Sequence, residues 1–111
     1  MGRWAQAQRS GGQAFVASPG TPTPELGFSD PNNIAVYFNV SGEADYGQAE
    51  VETLNVSWIP WGTLDTDNWA GVLLYGPNYG NGDLFRVRER LSLGGVMGPW
   101  TDWVQFEASG L

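Results

Sequence analysis

The chain has 111 residues, 41% hydrophobic and 14% aromatic, enough for one domain with a modest core built without metal or disulfide staples. Cysteine, histidine and lysine are all absent, which excludes disulfides, thiolate nucleophiles, imidazole bases and the usual zinc ligands together. Residues 1–24 carry Arg3 and Arg9 and no acid, whereas residues 25–111 carry three Arg against twelve Asp and Glu, a net charge of −9. Backbone affinity for nucleic acid depends on neutralising phosphates, so an acidic body of this kind is not expected to bind it. No stretch approaches the length of a membrane span, and no membrane partner is expected. The sequons Asn39-Val40-Ser41 and Asn55-Val56-Ser57 read as chance, because residues 1–15 lack the apolar run of a secretory signal.

Residues 1–24 form a low-complexity leader of Gln, Ala, Ser and Gly that ends on Pro19, Pro22 and Pro24. The composition excludes a long helix and predicts a flexible N-terminal arm. Arg3, Trp4, Arg9 and Phe15 give that arm two cations and two aromatic anchors, the pattern of a segment that orders on docking. The domain proper is expected over residues 25–111. Residues 22–28 lead into a short first strand, stopped by the turn residues Ser29-Asp30-Pro31-Asn32-Asn33. Ile34, Val36, Phe38 and Val40 then alternate with Ala35, Tyr37 and Asn39, a strand with its apolar face inward. Residues 41–48 read as a polar loop. From Glu50 the alternation resumes, and the set Leu54, Val56 and Trp58 has the larger apolar content, which places it inward. Pro60 lacks a ladder donor and is expected to end this strand.

Residues 61–68 read as a loop. Its Asp65-Thr66-Asp67-Asn68 has part of the spacing of a calcium loop but neither the glycine nor the distal glutamate, so a solvated turn and no metal are expected. Residues 69–75 are short and apolar, a strand, and residues 76–83 are a Gly- and Asn-rich connection. In the next strand Phe85, Val87 and Leu91 point one way and Arg86, Arg88 and Arg90 the other. Glu89 falls in the inward set. A buried, unpaired carboxylate is costly, so a bulge or a position at the sandwich edge is expected there. Gly94, Gly95, Gly98 and Pro99 interrupt the pattern before a last strand that turns Val104 and Phe106 inward. Three arginines on one strand face repel one another unless something planar or negative lies between them. Trp100 and Trp103 are the natural planes, with Asp102 as a carboxylate partner, in a ladder that is structural first.

Six or seven strands separated by Gly, Pro and Asn turns predict an all-β domain, a two-sheet sandwich in preference to a small barrel. The expected core is Ile34, Val36, Phe38, Leu54, Val56, Phe85, Val87, Val104 and Phe106. Pro22-Thr23-Pro24-Glu25-Leu26, the strand over 34–40, Leu54-Asn55-Val56-Ser57-Trp58, Phe85-Arg86-Val87-Arg88 and Trp103-Val104-Gln105-Phe106-Glu107-Ala108 together resemble a fibronectin type III domain over about residues 22–109. The resemblance implies a fibronectin type III or immunoglobulin-like sandwich. Phe38 stands where that family usually has a tryptophan, and Phe85 where it has the tyrosine whose hydroxyl ties down a corner. Trp100-Thr101-Asp102-Trp103 is also similar to the Trp-Ser-any-Trp-Ser signature of cytokine receptors, with Val104 in place of the last serine. That likeness implies a Trp/Arg ladder rather than signalling.

Acid/base chemistry could in principle be drawn from Asp65, Asp67, Asp83 or Glu89, since two carboxylates suffice for glycoside cleavage. Loop carboxylates are normally solvated charges, so no catalytic residue, no enzyme activity and no cofactor are expected. The opening Met1-Gly2-Arg3-Trp4, with Arg9 and Gly11-Gly12 before the domain, resembles the starts of small structural proteins of tailed bacteriophages. The resemblance implies a capsid decoration, cement, tail or fibre subunit, made in the host cytoplasm and carried on the virion. Its partners would be a major capsid or tail protein and further copies of itself. The alternative is a carbohydrate- or host-surface-binding module in which Trp58, Trp61, Trp69 and Tyr79, with Tyr75, line a glycan groove.

Overall fold

A computed structural model describes residues 19–73 and 76–111. The described residues form eight strands and no helix: β1 Thr23–Asp30, β2 Asn33–Asn39, β3 Tyr46–Asn55, β4 Ser57–Thr66, β5 Ala70–Leu73, β6 Leu84–Leu93, β7 Val96–Met97 and β8 Val104–Glu107. One sheet has the order β1-β2-β5; the other runs β4-β3-β6-β7, with β8 also paired to β6. Every described pairing is antiparallel. Alternating strands bury one face each, so the two sheets close on each other as a sandwich. Leu26, Ile34, Val36 and Phe38 enter the core from the smaller sheet, and Ala49, Val51, Trp61, Phe85, Val87 and Leu91 from the larger one. Val104 and Phe106 pack against this core while half-buried.

The sandwich takes in part of the expected leader. β1 begins at Thr23, and Pro19, Pro22 and Pro24 are buried, so the boundary expected after residue 24 falls inside the fold. Arg3, Trp4, Arg9 and Phe15 lie outside the described residues.

The largest departure from the sequence expectation lies between residues 46 and 66. β3 and β4 form a hairpin that turns at Val56, whose backbone is left-handed (φ 67°). Asn55-Val56-Ser57 contains neither Gly nor Pro, so the alternation runs through the turn unbroken. Leu54 and Trp58 face each other across the hairpin and do share a face, but it is the outer one: Leu54 is 41% exposed and Val56 fully so. The buried parity is Gly47, Ala49 and Val51. The physical reason lies in the same residues, because the parity of Leu54 also contains Glu50 and Glu52, two carboxylates that are costly to bury, whereas outward they meet the arginines of β6.

Pro60 does not end the strand, and residues 61–66 are strand rather than loop. β4 is an edge strand, and the ladder skips between Val51↔Gly62 and Glu52↔Pro60, a bulge at Trp61. An edge or bulge is where a strand tolerates proline. The bulge also turns the indole of Trp61 into the core, where its Nε1 donates to the carbonyl of Pro77 at 3.3 Å. Gly76 makes room for that ring, since a Cβ there would stand 2.2 Å from Trp61 Cζ2.

Tyr79, in the connection before β6, is also core. Its backbone N–H donates to Pro31 at 2.7 Å and its hydroxyl donates to the carbonyl of Asn33, tying this connection to the β1–β2 turn. The ring packs edge-on to Phe28, Trp61 and Phe85, with centroids at 5.7, 6.1 and 5.1 Å. The corner hydroxyl that Phe85 lacks is thus supplied by Tyr79. Burial, reinforced by the charge of Asp30, raises the pKa of this phenol above its ordinary value and keeps it a donor.

Glu89 is not at a bulge of the β3–β6 ladder, but among the described residues β6 has no strand pairing at this position on its other side, where Thr101 bonds its backbone. It pairs with Ala49 in an uninterrupted register of β6 on β3, is 0% exposed, and neither carboxylate oxygen has a hydrogen-bond partner. Desolvation pushes its pKa up to about 8. The cost that argued against burial is reduced by protonation, because a neutral carboxyl is far cheaper to bury than a carboxylate.

Candidate functional site

The outer face of the larger sheet gathers the three arginines that the sequence singles out. β3 presents Gln48, Glu50 and Glu52, and β6 presents Arg90, Arg88 and Arg86 directly opposite them. The antiparallel register makes each pair complementary. Arg86 donates from Nε (2.8 Å) and Nη2 (2.5 Å) to Glu52 Oε1. Arg88 donates from Nε to Glu50 Oε1 at 2.8 Å, and its Nη2 lies 2.6 Å from the same oxygen in an ion pair. Arg90 donates from Nε to Gln48 Oε1 at 2.7 Å. Glu50, Glu52 and Gln48 were not singled out in the sequence, although Gln48-Ala49-Glu50-Val51-Glu52 is the reversed complement of Arg86-Val87-Arg88-Glu89-Arg90. Asp102, expected as a partner, is exposed and forms no ion pair among the described residues.

The aromatic half of the face comes from the segment between β7 and β8. There the last strand leaves the ladder and is held by three separate bonds: Gly98 N–H to Leu91 O at 2.7 Å, Thr101 N–H to Glu89 O at 2.8 Å, and Glu89 N–H to Thr101 Oγ1 at 3.0 Å. Gly98 is needed at the first of these, since a Cβ would stand 2.9 Å from Pro19 Cγ and 3.1 Å from Leu91 O. With Thr101 holding the edge of β6, the flanking Trp100 and Trp103 lie over the arginines. Arg86 Cζ is 4.3 Å from the Trp103 ring centroid and Arg88 Cζ is 4.9 Å from it. Arg88 and Arg90 are 4.6 and 4.4 Å from Trp100. Trp58, from β4, covers Arg86 at 4.6 Å and extends the stack beyond the residues expected to make it. Each stack contributes about 0.5–1 kcal/mol where solvent reaches it.

Two of the aromatics assigned to a glycan groove are largely buried in the core: Trp61 is 9% and Tyr79 7% exposed, and their exposed edges line a depression of about 280 Å³ with Ile59, Pro60, Pro77 and Asp83. Trp69 is half-buried and packs on the core, and Trp58 belongs to the arginine stack. Tyr75 lies outside the described residues. The four residues do not form one groove. Asp65 lies on the outer face opposite Gln48, and among the described residues no group of three acidic side chains gathers where it could hold a metal ion.

Solved structures with this arrangement of strands are available for comparison. An fn3 domain of human contactin 1 superposes with a TM-score of 0.60, at 14% identity, over 87% of this chain and 87% of that one. The third fibronectin III domain of human KIAA0343 protein gives 0.58 at 13% identity, over 91% of this chain and 96% of that one. The FN5 domain of Drosophila Lar gives 0.56 at 9% identity, over 83% and 98%. The fold is that of a fibronectin type III domain. No family model matches the sequence, and no curated protein matches it either. A shared fold does not fix function, which lies in the residues carried on its surfaces.

Proposed function

We propose that this chain is a non-enzymatic structural and interaction subunit. The assembly it serves is the virion of a tailed bacteriophage, where it decorates the capsid or accompanies the tail. The observation that carries the interaction reading is the outer face of the larger sheet. Its arginines and tryptophans are locked to one another and to Glu50, Glu52 and Gln48, forming a stiff, half-exposed plate instead of a cleft with free reactive groups. A plate of this kind meets a partner with little loss of side-chain freedom, which favours tight association. The virion reading is supported by the resemblance of Met1-Gly2-Arg3-Trp4 and by a basic leader ahead of an acidic body, a charge contrast suited to lacing onto a lattice.

The test is to express the chain with the products of its neighbouring genes and examine the particles by electron microscopy and mass photometry. A fixed copy number per particle is the expected result. Absence from every particle, together with a tight saccharide on a glycan array, would overturn it.

A further inference from the structure

Along the outer face the stack runs Trp58, Arg86, Trp103, Arg88, Trp100, Arg90, and its two ends differ. Arg86 and Arg88 each carry two indoles and a carboxylate. Arg90 carries one indole, Trp100, and its partner across the ladder is the neutral amide of Gln48, which accepts from Nε alone. Among the described residues Arg90 forms no ion pair, and its paired Nη donors have no hydrogen-bond partner. Beside it opens a depression of about 230 Å³ lined by Gln48, Glu50, Thr63, Asp65 and Trp100.

We infer that Arg90, at the open end of the stack, is a docking point for a single Asp or Glu side chain of a partner protein, presented from a basic surface. The inference rests on the reading of the chain as an interaction subunit. A guanidinium fork matches a carboxylate through two parallel hydrogen bonds, and the Nη donors of Arg90 are the fork left over after the other two arginines are satisfied. Trp100 holds the guanidinium plane in place, so little freedom is lost on binding. Asp65 and Glu50 line the same depression and repel a free anion. A carboxylate is therefore accepted only when its own neighbours bring positive charge toward those two acids, which selects the partner as much as the pair itself does. The leader cannot supply this carboxylate, because residues 1–24 contain no acid. A second copy is disfavoured by repulsion between two bodies of −9.

The experiment uses the full chain and the capped peptide acetyl-Lys-Gly-Glu-Gly-Lys-amide, with its Gln counterpart as control. Binding is followed by nuclear magnetic resonance at the Arg90 Nε–H and the Trp100 indole N–H. A saturable shift of both signals with the Glu peptide and not the Gln peptide, lost in Arg90→Gln, is expected. Asp65→Asn removes an acid that the flanking lysines of the peptide meet and should weaken the Glu peptide by about two- to fivefold, the range of a single exposed charge contact. Equal responses to the two peptides, or a response retained in a folded Arg90→Gln, overturns the site. Should Arg90→Gln fail to fold, Asp65→Asn decides, and unchanged affinity there overturns it. Particle association without any peptide response rejects this site and leaves the interaction reading standing. A peptide response from a protein absent from particles does the reverse.

Discussion

Glu89 is the residue whose chemistry most directly governs the behaviour of the domain. Its pKa is raised from 4.5 to about 8 by burial, so the folded state holds this proton more tightly than the unfolded state does. The stability linked to it is fully present below the unfolded value and is lost as pH rises through the folded one. Between about pH 4.5 and 8 the loss amounts to about 5 kcal/mol, at roughly 1.4 kcal/mol per unit. Glu89→Gln keeps the shape and removes the titration. We expect it to stabilise the domain by about 3 kcal/mol at pH 7 and to leave it nearly unchanged below pH 4.5. Urea unfolding at several pH values checks this, and a parallel pH dependence in parent and variant would disprove it. Phe85 illustrates the apolar counterpart. It is fully buried among Phe28, Trp61 and Tyr79, and Phe85→Ala should cost about 3–5 kcal/mol, read as a fall in denaturation midpoint.

At the scale of elements, two devices stand out: the arginine stack on β6 and the hairpin of β3 and β4. Arg88 lies against both Trp100 and Trp103 and is hydrogen-bonded and ion-paired to Glu50, so a flat, forked cation is required there. Arg88→Lys keeps the charge and loses the plane and the fork. A loss of about 1–2 kcal/mol in thermal or chemical unfolding is expected, the sum of two exposed stacks. An unchanged melting temperature would show that the stack contributes nothing to stability. The hairpin carries its own strain, because a β-branched residue at φ 67° is disfavoured by about 1–2 kcal/mol. Val56 is fully exposed and so has no packing to lose. Val56→Asn should therefore raise stability by about 1 kcal/mol, measured in the same unfolding assay, and a lower midpoint would show that the turn needs valine.

For the whole molecule the question is how the leader relates to the sandwich. Pro19, Pro22 and Pro24 are buried in the fold, so a deletion that tests the arm must stop before them. Removing residues 1–18 is expected to leave the melting temperature nearly unchanged while reducing incorporation into the assembly. A binding assay on the truncated protein, alongside its melting curve, separates these effects. Full incorporation would reduce the leader to a dispensable end, and a large fall in melting temperature would make it part of the domain. The acidic body bears on the same assembly. Raised salt should weaken any association that relies on a basic partner, since exposed charges are screened within about 10 Å at 0.1 M.

Period-2 alternation determined the strands over 33–39 and 84–93, because a strand with one buried face has to write its orientation into every second residue. It also determined that the arginines would share a face and that Trp100 and Trp103 were the planes nearest to them in sequence. What the alternation left undecided was phase and partnership. Leu54, Val56 and Trp58 share a parity, but only the second sheet, closing on Val51 and Ala49, decides which parity is inside. Trp61 and Tyr79 read equally well as surface aromatics until a bulge at Trp61 and a backbone carbonyl at Asn33 draw them into the core. Register is likewise a tertiary fact. The match of Gln48, Glu50 and Glu52 to Arg90, Arg88 and Arg86 depends on how two strands about forty residues apart slide against each other. Glu89 shows the same division most plainly: its parity was legible, but its protonation state was not, because a pKa depends on how much water the completed fold removes.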